Sequence, residues 1–104
     1  MIEFNGKTVW ITGASSGIGK AVALKISNLN AKIVLSSRNK EELENVAKQC
    51  KNEPYILPLD LEKPEAFEKA TQLVVKKYGS IDLLINNGGI SQRSEASQTS
   101  VDVD

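Results

Sequence analysis

Short, β-rich apolar runs alternate along the chain with stretches whose apolar positions recur at helical spacing. After an Asn5-Gly6 turn, Lys7 to Thr12 (KTVWIT) is a short β-rich run. Ile18, Val22, Ile26 and Leu29 then recur at helical spacing, and Lys32 to Ser37 (KIVLSS) is a second β-branched run too short for a helix. Leu43, Val46, Ala47 and Cys50 fall at i, i+3, i+4 and i+7 behind Asn39, a residue type that caps helices. Tyr55 to Leu57, between Pro54 and Pro58, reads as a short third strand. Ala66, Phe67, Ala70, Leu73 and Val74 predict a third helix ending at Gly79, and Asp82 to Asn86 (DLLIN) is a fourth strand.

The order β-α-β-α-β-α-β, with strands that read as continuous apolar runs, implies parallel strands covered on both faces and joined by right-handed crossovers. The fold class is therefore α/β, half of a doubly wound parallel sheet with four strands. At Gly88 the composition changes, and residues 90–104 (ISQRSEASQTSVDVD) are polar without a periodic face, so a loop is expected there. On that expectation nothing pairs the outer edge of the fourth strand. The free chain would then be marginal, open to self-association along that edge, or the N-terminal piece of a longer protein.

Composition narrows the chemistry. The 104 residues carry 13 basic and 13 acidic side chains, and 40% are apolar, as expected of one ordinary domain. Zero formal charge argues against unspecific nucleic-acid binding. The absence of His and the single Cys50 exclude Cys/His zinc sites, internal disulfides and imidazole-based triads. No basic-then-apolar signal pattern and no run of 18 apolar residues occurs, so no membrane partner is expected and a cytoplasmic location is the default.

One segment carries a specific chemical signal: Thr12-Gly13-Ala14-Ser15-Ser16-Gly17-Ile18-Gly19, between the first strand and the first helix. A helix N-terminus offers unpaired N–H groups and partial positive charge to a phosphate. The three glycines divide the work: Gly13 for the tight turn, Gly17 for close approach of a ligand, Gly19 for packing helix on strand. A glycine-rich turn without a ligand is the competing reading. A nucleotide-hydrolysing P-loop is not, because Ala14 and Ala21 stand where that motif needs Gly and Ser or Thr. A dinucleotide is the ligand that remains.

This loop, together with Asp60-Leu61 after the third strand and Asn86-Asn87-Gly88-Gly89 after the fourth, resembles the N-terminal half of the short-chain dehydrogenase/reductase family. Three motifs stand in the right order, each at the carboxyl end of an expected strand. Gly88 departs from the family's usual Asn-Asn-Ala-Gly. The resemblance spans about residues 4 to 104 and implies that residues 1–104 form the dinucleotide-binding half of a Rossmann-like domain. It also implies cofactor contacts from Ser15, Ser16 and Ile18 in the glycine loop. Asp60 would face the adenine amino group, and Leu61 would line the adenine pocket. Asn86 with Gly88 would lie along the adenosine ribose, and Ile90 near the nicotinamide ribose. Other readings stand beside these: Asp60 could cap the turn before Lys63, and Asn87-Gly88 could be a strand-ending turn.

The end of the second strand bears on cofactor type. A carboxylate there would bond the ribose diol of NAD, whereas Arg accommodates the 2′-phosphate of NADP. This chain has Ser36-Ser37-Arg38-Asn39 and no carboxylate before Glu41, so NADP is expected, held by Ser37 and Arg38, although a solvated Arg at a strand end is also common.

The family's chemistry uses a Tyr with a Lys four residues later, plus a Ser and an Asn. Here Leu59 and Asp82 stand four residues after Tyr55 and Tyr78, so no residue is assigned to catalysis. The resemblance implies a full-length parent that interconverts a small-molecule carbonyl and a secondary alcohol. The alternative is a dinucleotide-binding module without catalytic activity.

Overall fold

A computed structural model describes residues 3–15, 17–60, 62–87 and 100–102. The elements are β1 (Thr8–Thr12), α1 (Gly17–Ser27), β2 (Lys32–Ser36), α2 (Lys40–Gln49), β3 (Tyr55–Ile56), α3 (Pro64–Tyr78), β4 (Leu83–Asn86) and β5 (Ser100–Asp102). All pairings are parallel, in the order β3-β2-β1-β4-β5. The four strands and three helices expected from the apolar pattern are present in the expected sequence, so the fold is the Rossmann-like α/β sheet.

Register shows why the central strands are apolar throughout. Val9 lies beside Ile33 and Leu83, and Ile11 beside Leu35 and Ile85. These six side chains form one core with Ala23 and Ile26 of α1 and Leu43 and Val46 of α2. Trp10, between them, lies beside Val34 and Leu84 and points to the other face, where Ala70 and Val74 of α3 complete a second core. Right-handed crossovers demand this division: the chain moves outward from β1 to β3 through α1 and α2, then reverses to β4 through α3 on the opposite face.

The helix ends follow local chemistry. Asn39 caps α2, its side-chain oxygen accepting from the Glu42 amide at 3.1 Å. Gly79 closes α3 in the left-handed region at φ 89°.

Two expectations are corrected. The polar loop over 90–104 is interrupted by β5, which pairs Ser100, Val101 and Asp102 with Leu84, Ile85 and Asn86. The outer edge of β4 is thus paired over these three residues. Residues 90–99 and 103–104 lie outside the described residues. A three-residue strand paired on one edge needs little apolar patterning of its own, which is why composition did not reveal it.

The second correction concerns helix faces. Ile18, Leu29 and Leu73 were expected on buried faces, but they are 47%, 44% and 46% exposed. The buried residues of α1 are Gly19, Ala23, Ile26 and Ser27. The helical period was right, but its face is rotated by about one residue. Small side chains at i, i+4 and i+8 bring the helix axis close to the sheet and leave the larger ones on its flank.

Trp10 anchors the α3 side. Its ring is fully buried and stacks on Phe67 with centroids 5.1 Å apart, and its Nε1 donates to the buried Ser36 hydroxyl at 2.8 Å. Ser36→Ala, which strands that buried donor, is expected to cost about 1–3 kcal/mol in urea denaturation. In a Trp10→Phe background the same substitution should cost much less, because no indole N–H remains to be stranded. Equal costs in both backgrounds would disprove the pairing.

Half-buried Cys50 packs against the α1 and α2 core. Burial pushes its thiol pKa up, opposed by a smaller hydrogen-bond contribution from Ser27. A raised pKa leaves less thiolate near pH 8, so Cys50 should alkylate with iodoacetamide more slowly in the folded chain than in urea.

Candidate functional site

The site begins where β1 ends. After Thr12 the chain turns sharply through Gly13, at φ 63°, and the Ala14 amide donates to the Ser36 carbonyl at 3.2 Å, tying the loop to β2. Ala14 is fully buried beneath the loop. Gly17 opens α1 at φ 59°, a conformation that L side chains rarely adopt, and a Cβ there would meet nothing within 4 Å. Gly17 thus provides both the bend and an open approach to the helix N-terminus.

Gly19 has the opposite surroundings. A Cβ at this position would collide with the Gly13 carbonyl oxygen and come within 2.6 Å of the Asn87 side-chain nitrogen. The first turn of α1 therefore lies directly on the backbone of the loop that precedes it. This is the packing expected of the third glycine of a dinucleotide fingerprint.

The end of β4 is joined to the end of β1 by a compact polar network. The Thr12 hydroxyl donates to Asn86 Oδ1 at 3.0 Å, and the Asn87 amide donates to the Thr12 carbonyl at 3.2 Å. The Asn87 side chain donates from Nδ2 to the Gly13 carbonyl at 3.3 Å. Asn86 is thereby turned toward β1. Its neighbour Asn87, absent from the site residues expected from sequence, lines the cleft instead. The available signal was the pair itself: adjacent residues at a strand end point to opposite sides, so only one of two asparagines can face the loop.

Above these strand ends opens a cleft of about 1200 Å³. Gly13, Ser15, Gly17 and Ile18 form one wall, Ser37 and Arg38 the end of β2, and Leu59 and Asp60 the segment after β3. Of the residues singled out from sequence, these seven line the cleft: Gly13, Ser15, Gly17, Ile18, Ser37, Arg38 and Asp60. Gly19 packs behind it and Asn86 braces its floor. Ser16, Leu61, Gly88 and Ile90 lie outside the described residues.

The cleft runs along the carboxyl ends of β1, β2 and β3 and reaches the end of β4 at Asn87, beside the point where the chain's winding direction reverses. Open α/β sheets bind ligands at this crevice.

Several details define its chemistry. The Ser37 hydroxyl accepts from the Asn39 amide at 3.2 Å, which fixes the turn into α2. The α2 N-terminus therefore faces the cleft alongside that of α1, giving two positive helix ends on one cavity. The exposed Arg38 guanidinium has no hydrogen-bond or ion-pair partner among the described residues. Asp60 serves the turn, its carboxylate accepting from the Glu62 amide at 3.0 Å, and also lines the cavity. Glu41, Glu42 and Glu62 share the rim, so the positive character is local to the helix ends and to Arg38 and Lys40.

Comparison with known proteins agrees with this geometry. A family model described as short chain dehydrogenase matches residues 7–103. The mouse "Dehydrogenase/reductase SDR family member 7" is 44% identical over 108 residues, covering 97% of this chain and 32% of the mouse protein. Among solved structures, a metagenomic short-chain oxidoreductase in complex with NADP superposes with a TM-score of 0.81 at 33% identity, covering 86% of this chain and 42% of that one. A short chain dehydrogenase/reductase from Burkholderia phymatum in complex with NAD gives a TM-score of 0.80 at 30% identity, covering 86% of this chain and 33% of that one. The chain belongs to the short-chain dehydrogenase/reductase family of oxidoreductases. It spans about a third of the length of the curated relatives it matches, 32% of the mouse and human proteins.

The two glycine environments predict different losses. Gly17→Ala should cost about 1–2 kcal/mol through backbone strain alone. Gly19→Ala sets a methyl against backbone that cannot swing aside, so it should cost up to about 3 kcal/mol and lower the thermal midpoint more. A smaller loss for Gly19→Ala than for Gly17→Ala would contradict the close packing of α1 on Gly13.

Proposed function

We propose that this chain binds NADP in the cleft at the carboxyl ends of β1, β2 and β3, as the cofactor-binding half of an oxidoreductase that interconverts a carbonyl and a secondary alcohol. The carrying observation is Arg38. It stands just past the end of β2, on the cleft, with a guanidinium that nothing among the described residues neutralises. Ser36 and Ser37 occupy the strand end where a carboxylate would select NAD.

The residues fit a dinucleotide. Gly17 leaves open space before the α1 N-terminus for a pyrophosphate, and its positive φ orients the first amides of the helix outward. Arg38 and the Ser37 hydroxyl would hold the 2′-phosphate, while Leu59 and Asp60 would border the adenine. Asn87 keeps the loop carbonyl at Gly13 engaged, which ties this wall of the cavity to the end of β4. When bound, the nicotinamide supplies the hydride.

A second reading, a dinucleotide-binding module without catalytic activity, is favoured by the position of the tyrosines. Tyr55 and Tyr78 pack edge to face, centroids 6.4 Å apart, at the end of the sheet away from the cleft. Neither has a lysine four residues later. In both readings the chain binds cofactor, and by itself it should not oxidise NADPH in the presence of carbonyl compounds.

Titration with reduced nucleotides tests the cofactor reading. Arg38→Ala should weaken NADPH binding by roughly ten- to hundredfold, equivalent to a charge-assisted bond of about 1.5–3 kcal/mol, and leave NADH binding nearly unchanged. An equal loss for both nucleotides would refute the assignment of Arg38 to the 2′-phosphate.

A further inference from the structure

A formal charge of zero conceals a marked separation of charge between the two ends of the sheet. Because the strands are parallel and each helix returns antiparallel to them, strand starts and helix C-termini share one end, opposite the cleft. Lys7 and Lys32 stand at the starts of β1 and β2, linked by a backbone hydrogen bond of 2.7 Å from the Lys32 amide to the Lys7 carbonyl. Lys25, Lys48, Lys76 and Lys77 occupy the last turns of the three helices. Lys51 follows α2, its Nζ donating to Asn30 Oδ1 at 3.2 Å. All seven are exposed. Among the described residues the carboxylates at this end are Glu3, Glu53 and Asp82, and Asp82 is engaged by the Thr8 amide at 2.8 Å.

We propose that this basal lysine face docks on an anionic lipid surface, leaving the cleft turned away from the membrane. The helix dipoles alone do not explain the arrangement. Last-turn lysines complement a helix C-terminus, but Lys7 and Lys32 begin strands, which carry little net dipole. The Tyr78 ring carries two ammonium groups, Lys32 Nζ at 5.8 Å and Lys77 Nζ at 5.6 Å, which gathers positive charge where a bound anion would offset the repulsion.

The acids at the opposite end do not cancel this field. A five-residue strand spans roughly 17 Å, about twice the screening length of about 8 Å at physiological ionic strength.

The lipid surface is favoured over other polyanions by the form of the face. Among the described residues its basic groups are all lysines, point charges spread over helix ends and strand starts, with no described helix or ribbon projecting to enter a nucleic-acid groove and no described arginine fork for bidentate phosphate recognition. Mobile headgroups adapt to such a dispersed array, each nearby lysine contributing roughly fivefold in affinity. No described helix is long and apolar enough to cross a membrane.

Flotation of the 104-residue chain with vesicles tests the proposal. Vesicles of phosphatidylserine and phosphatidylcholine should bind it at physiological salt and release it at about 1 M, where screening shortens to about 3 Å. Phosphatidylcholine alone should not bind. Lys7→Gln/Lys48→Gln/Lys76→Gln should weaken binding on the order of a hundredfold, while Lys63→Gln/Lys69→Gln, away from the basal end, should leave it unchanged. Thermal melting shows whether the triple variant is folded, and if it is not, the three single variants should each lose about fivefold. Equal binding to neutral vesicles, equal losses in the basal and control variants, or equally tight binding to duplex DNA or polyglutamate would overturn it.

Discussion

The close seating of α1 on the loop before it is the constraint on which the structure turns. Gly19 lies against the Gly13 carbonyl, where even a methyl group does not fit. This contact draws the helix down onto the junction of β1 and β4, so the buried face of α1 consists of Gly19, Ala23, Ile26 and Ser27 rather than its larger apolar residues. The same contact aims the helix N-terminus at the cavity. Packing and ligand geometry are therefore one feature, because the residue that permits the approach of helix to strand also sets the direction of the amides.

The polar network beside it performs a second structural task. Thr12, Asn86 and Asn87 bridge β1 and β4 at the reversal of winding, where no crossover helix covers the strand ends. An apolar side chain there would leave backbone groups near the loop without partners. The network satisfies them and holds the floor of the cleft rigid. Function and stability thus draw on the same few atoms at the carboxyl edge, while the two hydrophobic cores, on either side of Trp10 and its neighbours, fix the sheet from below.

Membership of the short-chain dehydrogenase/reductase family rests on a match to nearly the whole chain together with the sheet order and the position of the cleft. The proposed preference for NADP rests on different ground, the end of β2, where Ser37 and Arg38 line the cavity and Glu41 and Glu42 lie further along its rim. The family supplies the fold, and on the proposed function local electrostatics at two or three side chains would choose between two closely similar nucleotides.

Much of this was readable in the linear chain. Short apolar runs and a helical period near 3.6, punctuated by Asn39, Gly79 and the glycine loop, were enough for the order of the first seven elements, because each signal is local and acts within a turn or a strand. Spacing alone likewise placed Gly13, Gly17 and Gly19 in separate roles. Tertiary structure decided what depends on neighbours distant in sequence. It rotated α1 onto its small residues, because proximity to Gly13 outweighed the burial of Ile18 and Leu29. It added β5, which takes its backbone partners from β4 rather than from any pattern of its own. It turned Asn86 toward Thr12 and left Asn87 on the cavity. Periodicity specifies that a helix or strand has a buried side, whereas the identity of that side is settled by what the rest of the chain presses against it.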